Sequence, residues 1–90
     1  MTDLDNVLRA LADPTRRDLL RMVIRQPGQS TAQLVERTDG MSRWGVMKHL
    51  AVLRDAGLIQ TMVQGRHRRH FPERGALRSL RQWLDEVAPP

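Results

Sequence analysis

Arg43, Lys48, Arg54, Arg66, Arg68 and Arg69 fall within residues 41–72, a stretch whose only acid is Asp55. Residues 1–40 balance six Arg against six acids, and residues 73–90 balance three against three. The whole net charge of +5 therefore sits in that one stretch. Solvated protein faces usually mix their signs. A one-signed block on folded elements is the footprint expected of a phosphate backbone. Guanidinium groups add the paired donors that can bridge the two acceptors of guanine. The chemistry on offer is nucleic-acid recognition rather than catalysis. The absence of Cys excludes disulfides, thiolate metal sites, iron–sulfur clusters and cysteine nucleophiles together. No phosphate loop, paired acid cluster or Ser–His–Asp arrangement suggests an enzyme, and no cofactor is expected. His49 reads as a phosphate or structural hydrogen-bonder. His67 and His70 are three apart in a predicted strand, on opposite faces, and are poorly set to share a metal.

The elements that would position these residues can be read from periodicity. Leu4, Val7, Leu8 and Leu11 have helical spacing and predict a first helix over residues 4–12. Asp13-Pro14 then offers an N-cap and a first-turn proline for a second helix over 14–25, with Leu19, Leu20, Val23 and Ile24 as its apolar stripe. Gln26-Pro27-Gly28 stops it. Ser30 and Gln33 have capping-box spacing for a short third helix to residue 37, predicted to bury Ala32, Leu34 and Val35. Asp39-Gly40 is a turn. Ser42 caps a fourth helix to residue 56, with Val46, Leu50 and Leu53 facing the core and Gly57 ending it. The period then changes. Residues 58–63 and 67–71 read as two strands around a Gln64-Gly65-Arg66 turn, closed by Pro72. A last helix over 74–87 aligns Leu77, Leu80, Leu84 and Val87, with Trp83 beside them.

Ninety residues suffice for one domain over residues 1–90. The fold expected is mainly α with a small β-hairpin, an α+β winged helix-turn-helix of four helices, a hairpin and a fifth helix. The basic stretch covers the fourth helix and the hairpin, the two elements such a fold presents to a duplex. The fourth helix would place Ser42, Arg43, Trp44, Met47, Lys48 and His49 at the major groove. Trp44 is equally readable as a thymine-methyl contact or as packing against the third helix or wing, with packing slightly favoured, and Met47 is open in the same way. Ser30, Thr31 and Gln33 would meet a phosphate where the third helix crosses the backbone. Arg66, Arg68 and Arg69 would grip phosphates or a narrow minor groove. No apolar run approaches the ~20 residues of a membrane span. The N-terminal MTDLDN lacks a signal-peptide pattern, so a cytoplasmic, bacterial protein without a membrane partner is expected.

Three runs also resemble the ArsR-type repressors: Leu11-Ala-Asp-Pro-Thr-Arg-Arg-Asp-Leu-Leu20, Ser42-Arg-Trp-Gly-Val-Met-Lys-His-Leu-Ala-Val-Leu-Arg-Asp-Ala-Gly-Leu58 and the wing Gly65-Arg-His-Arg-Arg69. They occur in order and cover nearly the whole chain. The form MSRWGVMKHL is similar to a subgroup of that family. The resemblance implies a homodimer joined by its first and last helices, repression at a promoter, and release by an effector. Members that sense metals carry paired Cys near the start of the third helix, or His with Asp or Glu on the last. Here the third-helix segment is Ser30-Thr-Ala-Gln-Leu-Val-Glu36, and the last helix has Asp85 and Glu86 but no His. The interface expected comprises Leu4, Val7, Leu8 and Leu11 with Leu77, Leu80, Trp83, Leu84 and Val87. Two-fold symmetry then predicts a palindromic operator in double-stranded DNA.

Two other readings remain open on the sequence. One is an effector- or metal-gated sensor of the same fold using Asp3, Asp5, Asp85 and Glu86. The other is a winged helix for RNA or protein. Trp44, Phe71 and Trp83 are too few for an aromatic platform for single strands.

Overall fold

The computed structural model describes residues 3–90. Its elements are α1 (Asp3–Leu11), α2 (Pro14–Arg25), β1 (Gln29–Ser30), α3 (Thr31–Glu36), α4 (Arg43–Asp55), β2 (Ile59–Gln64), β3 (His67–Pro72) and α5 (Gly75–Val87). This is the mainly helical winged helix-turn-helix order read from the sequence. It carries one strand more than the hairpin. β1 pairs antiparallel with β3, giving a three-stranded sheet of order β1-β3-β2. Gln29 lies opposite His70, and Ser30 opposite Arg69.

The run Asp13-Pro-Thr-Arg-Arg17 finishes one helix and starts the next. The Asp13 carboxylate accepts the Arg16 backbone N–H at 3.1 Å, which caps α2. That bond holds the Asp13 carboxyl below its ordinary value, against a smaller opposing effect of burial. The Arg16 side chain turns back to donate to the carbonyls of Ala10 (2.7 Å) and Arg9 (3.1 Å), and Arg17 donates to that of Leu11 (2.7 Å). The open carbonyls at the end of α1 are thereby satisfied by cations, which also suit the negative end of the helix dipole. At the end of α2, the buried Gln29 amide donates to the carbonyls of Met22 and Gln26.

The core is drawn from every helix but the last. It comprises Val7 and Ala10 of α1, Leu19, Leu20 and Val23 of α2, Leu34 of α3 and Val46, Leu50 and Leu53 of α4, closed by Leu58 and Ile59. Gly57 follows α4 with φ +76°, a left-handed C′ position that glycine fills without strain. The hairpin turn is Gly65-Arg66, between the paired Gln64 and His67. Gly65 has φ +61°, and among the described residues no other residue type has positive φ, so the turn takes the II′ form, with glycine first.

Three packing expectations are corrected. Ala32 is exposed, and its neighbour Thr31 is the buried residue of the first turn of α3, because the Thr31 hydroxyl bonds inward. Val7 is 0% exposed within the chain, so it belongs to the core and has no surface for a partner. Trp44 is 68% exposed and is not packed on α3 or the wing.

α1 packs along α5, but α5 contributes no fully buried residue. Leu11, Leu77 and Leu80 are half-buried against the core. Leu8, Trp83, Leu84 and Val87 remain exposed, leaving an apolar face on the two terminal helices.

Candidate nucleic-acid interface

The helix-turn-helix is built by two caps. Ser30 Oγ accepts the Gln33 N–H at 3.2 Å while Gln33 Oε1 accepts the Ser30 N–H at 2.8 Å, so the capping box predicted from spacing is closed. Ser42 Oγ accepts the Gly45 N–H at 3.0 Å and starts α4. A Cβ at position 45 would come within 3.2 Å of Met41 Cε and 3.4 Å of Ser42 Oγ. The close approach at Gly45 is thus to the Met41 methyl and the Ser42 cap just before the helix.

α4 presents Arg43, Trp44, Met47 and Lys48 to solvent from its first two turns. The Lys48 ammonium lies 4.3 Å from the centroid of the Trp44 ring, one helical turn away, a cation–π contact that orients both side chains. A concavity of about 340 Å³ gathers residues from β1, α3, α4 and the wing: Ser30 from β1, Thr31 and Ala32 from α3, Arg43 and Met47 from α4, and Arg66, His67 and Arg68 from the wing. It holds three guanidinium groups and no carboxylate. Opposing cations are thus brought to one opening from the start of α4 and from the hairpin, residues more than twenty positions apart in the chain.

Several predicted site residues are used elsewhere. Thr31 is buried, and its hydroxyl is 2.8 Å from His70 Nε2. His49 Nδ1 lies 3.4 Å from Arg16 Nη1, so His49 ties α4 to the α1–α2 corner. Arg69 is turned to the opposite face of the hairpin from Arg68. It donates to Gln64 Oε1 at 2.6 Å and to the Gly28 carbonyl at 3.1 Å, fastening the wing to the loop before β1. Strand alternation predicts this, since Arg66 and Arg68 share one face and Arg69 the other. The sequence reading did not assign Ala32 or His67 to this opening, and it counted Arg54 only within the basic stretch. Arg54 was legible, since it follows Arg43 and Met47 at helical spacing on the same side of α4. Among the described residues no group of three or more His, Cys, Asp or Glu is placed to hold a metal ion. No helix among the described residues is long and apolar enough to cross a membrane.

Beneath the concavity, His70 is 2% exposed and is held between two hydroxyls, Thr31 on Nε2 and Thr61 on Nδ1 at 3.0 Å. It joins α3 to both strands of the wing. Burial lowers its pKa below the ordinary 6.5, and the charges of Arg54 and Arg68 lower it further. Because the folded value is lowered, the unfolded chain binds the proton more readily. This contribution to stability is therefore complete above pH 6.5 and is lost as pH falls below it. Ring-proton NMR is expected to show His70 titrating below 6.5, with the denaturation midpoint falling over the same range. A His70 titration at or above 6.5 would contradict this.

Comparison with known proteins gives a consistent result. Residues 11–61 match the sequence model of a family described as a helix-turn-helix domain. The chain is 33% identical over 69 residues to the uncharacterised HTH-type transcriptional regulator YuzN of Bacillus subtilis (strain 168), covering 71% of this chain and 75% of that protein. It is similar to the crystal structure of an ArsR family transcriptional regulator, with a TM-score of 0.85, 36% identity, and coverage of 94% of this chain and 86% of that one. It is also similar to an ArsR-like transcriptional regulator from Rhodococcus sp. RHA1, with a TM-score of 0.81, 30% identity, and coverage of 94% and 78%. With fold, helix-turn-helix and sequence in agreement, the chain belongs to the ArsR-type winged helix-turn-helix transcriptional regulators, and is a DNA-binding protein and not an enzyme.

Proposed function

We propose that this regulator is a homodimeric repressor, acting in the bacterial cytoplasm, that binds a palindromic operator as one domain whose terminal helices form the dimer interface. The observation that carries the DNA-contact assignment is the acid-free concavity shared by α3, α4 and the wing. In this reading α4 enters the major groove with Arg43 on a guanine edge, or on a phosphate beside it. Trp44, Met47 and Lys48 lie along the groove wall, and their exposure supports that role. Gln33 and Ser42, both exposed, keep their capping bonds and approach phosphates with what hydrogen-bonding capacity remains; Ser30, buried like Thr31, serves the cap of α3 instead. The wing holds the backbone through Arg66 and Arg68. Two-fold symmetry sets half-sites about one helical turn apart, ~10–10.5 bp, or a multiple of it.

The test is binding to the DNA upstream of the protein's own gene against a scrambled duplex of equal length, at two salt concentrations. Preference for the upstream DNA by ~10³ or more establishes a sequence-specific autoregulator. Equal and steeply salt-dependent affinity for both would leave only a basic surface and defeat the proposed autorepression.

The wing contact has its own signature. Replacing Arg66 and Arg68 with Ala is expected to weaken every duplex alike. The slope of log K against log salt should fall in magnitude by about 2, at ~0.9 for each phosphate that is no longer neutralised. Arg69→Ala should leave the slope unchanged, because that guanidinium is committed to Gln64 and Gly28. An unaltered slope in the double variant removes the wing from the interface.

A further inference from the structure

A second cavity of about 240 Å³ opens beside the first, between α4 and the wing. Its floor is Leu50, Ala51 and His70. Both His70 ring nitrogens are already hydrogen-bonded, and the Thr31 hydroxyl at the same depth is one of their partners. The floor therefore offers no unpaired polar side-chain atom, and an apolar body resting on it would strand no buried polar group. Trp44 and Met47 form an apolar wall. The mouth is ringed by Lys48, Arg54 and Arg68, and no carboxylate lines it. A flat cationic face suffices to hold a phosphate backbone. This pocket adds a greasy interior behind its cations, and a phosphate has nothing to place there.

We propose that this pocket is an effector site for a small organic acid: a carboxylate carried on an aromatic ring or a medium-length alkyl chain. The carboxylate would sit among Lys48, Arg54 and Arg68, and the apolar body would fill the space over Leu50 and Ala51. The cavity lies below the ~300–1,000 Å³ usual for drug-sized ligands, which selects a small acid. Met47, Lys48 and Arg68 serve both this pocket and the DNA face, so acid and duplex exclude one another. That exclusion rests on the reading of this face as the DNA interface; binding of the acid does not.

The experiment titrates isotopically labelled free protein with benzoate and octanoate. Benzyl alcohol and octanol supply the same bodies without charge, and acetate supplies the charge without a body. Saturating shifts centred on Thr31, Ala51 and His70 are expected for the two acids, with affinity about tenfold or more above that of the alcohols and acetate. Equal responses to acetate, equal responses to the alcohols, or no response at those residues would each overturn the site. Ala51→Leu, checked for folding by circular dichroism, fills the floor and should abolish the response; a retained response places the acid elsewhere. A labelled operator is then added. With acid at about ten times its own Kd, mass action should raise the apparent Kd for DNA about tenfold. Acid binding with unchanged operator affinity overturns the exclusion. Failure of any duplex to bind, with the acid shifts intact, faults the DNA-interface reading instead.

Discussion

Leu84→Glu is expected to convert the protein to a monomer in sedimentation velocity and to weaken operator binding by about 10²–10⁴-fold. Leu84 is 46% exposed on a helix that has no fully buried residue. Trp83, Val87 and Leu8 extend the same uncovered apolar surface across α5 and α1. A charge placed there would have to be desolvated by any partner helix, which breaks the interface far more surely than a truncation to Ala. It faces solvent in the monomer, so the fold itself should survive, and an unchanged circular dichroism spectrum checks this. The drop in operator binding follows from linkage. In a dimer, docking one recognition helix raises the effective concentration of the other at its half-site, and a monomer forfeits that gain while its own recognition helix is unaltered. A dimer that persists in Leu84→Glu, or a monomeric variant with undiminished operator affinity, would defeat the proposed assembly.

The helices and hairpin were legible because their signals are local. Asp13-Pro14, the Ser30–Gln33 box, Ser42 and the glycines at 57 and 65 act on backbone within a few residues, and each marks a real boundary. What was not legible depends on partners far away in the chain. β1 has only two residues, both polar, and exists because Gln29 and Ser30 meet β3 some forty positions later. Thr31 replaces Ala32 in the interior because a hydroxyl was needed beside His70. A residue-type rule sends Thr outward and Ala inward, and the buried imidazole reverses it. The stripe on α1 was correctly apolar, yet periodicity cannot divide it between core and surface. Val7 is inside and Leu8 is not. At the candidate site, the charge asymmetry located the right stretch, whereas the fate of each cation followed from geometry. Arg69 and His49 are held by hydrogen-bonding neighbours in the fold; Arg66 and Arg68 are left at the opening.

Leu53→Ala should lower unfolding free energy by about 2–5 kcal/mol, whereas Val52→Ala, one residue earlier, should change it by no more than ~0.5 kcal/mol. The contrast isolates what α4 does for the molecule. Leu53 is 0% exposed and sits in the same cluster as Val46 and Leu50, on the side of the helix that meets α2, α3 and β2. Truncating it removes buried methyl groups and leaves a cavity, which the surrounding helices can only partly close. Val52 is 37% exposed and points away from that cluster, and Ala is the better helix former, so the small reduction in burial is offset. Total stability for a domain of this length is about 5–15 kcal/mol, so the Leu53 variant approaches the margin at which part of the population unfolds. Its operator affinity per folded molecule should stay near that of the parent, because no DNA-facing side chain is altered. Urea unfolding followed by circular dichroism, with operator binding measured on the same samples below the transition, reads both quantities. Equal destabilisation by the two substitutions would mean that α4 does not bury the face assigned to it, and the side presented to DNA would have to be reassigned with it.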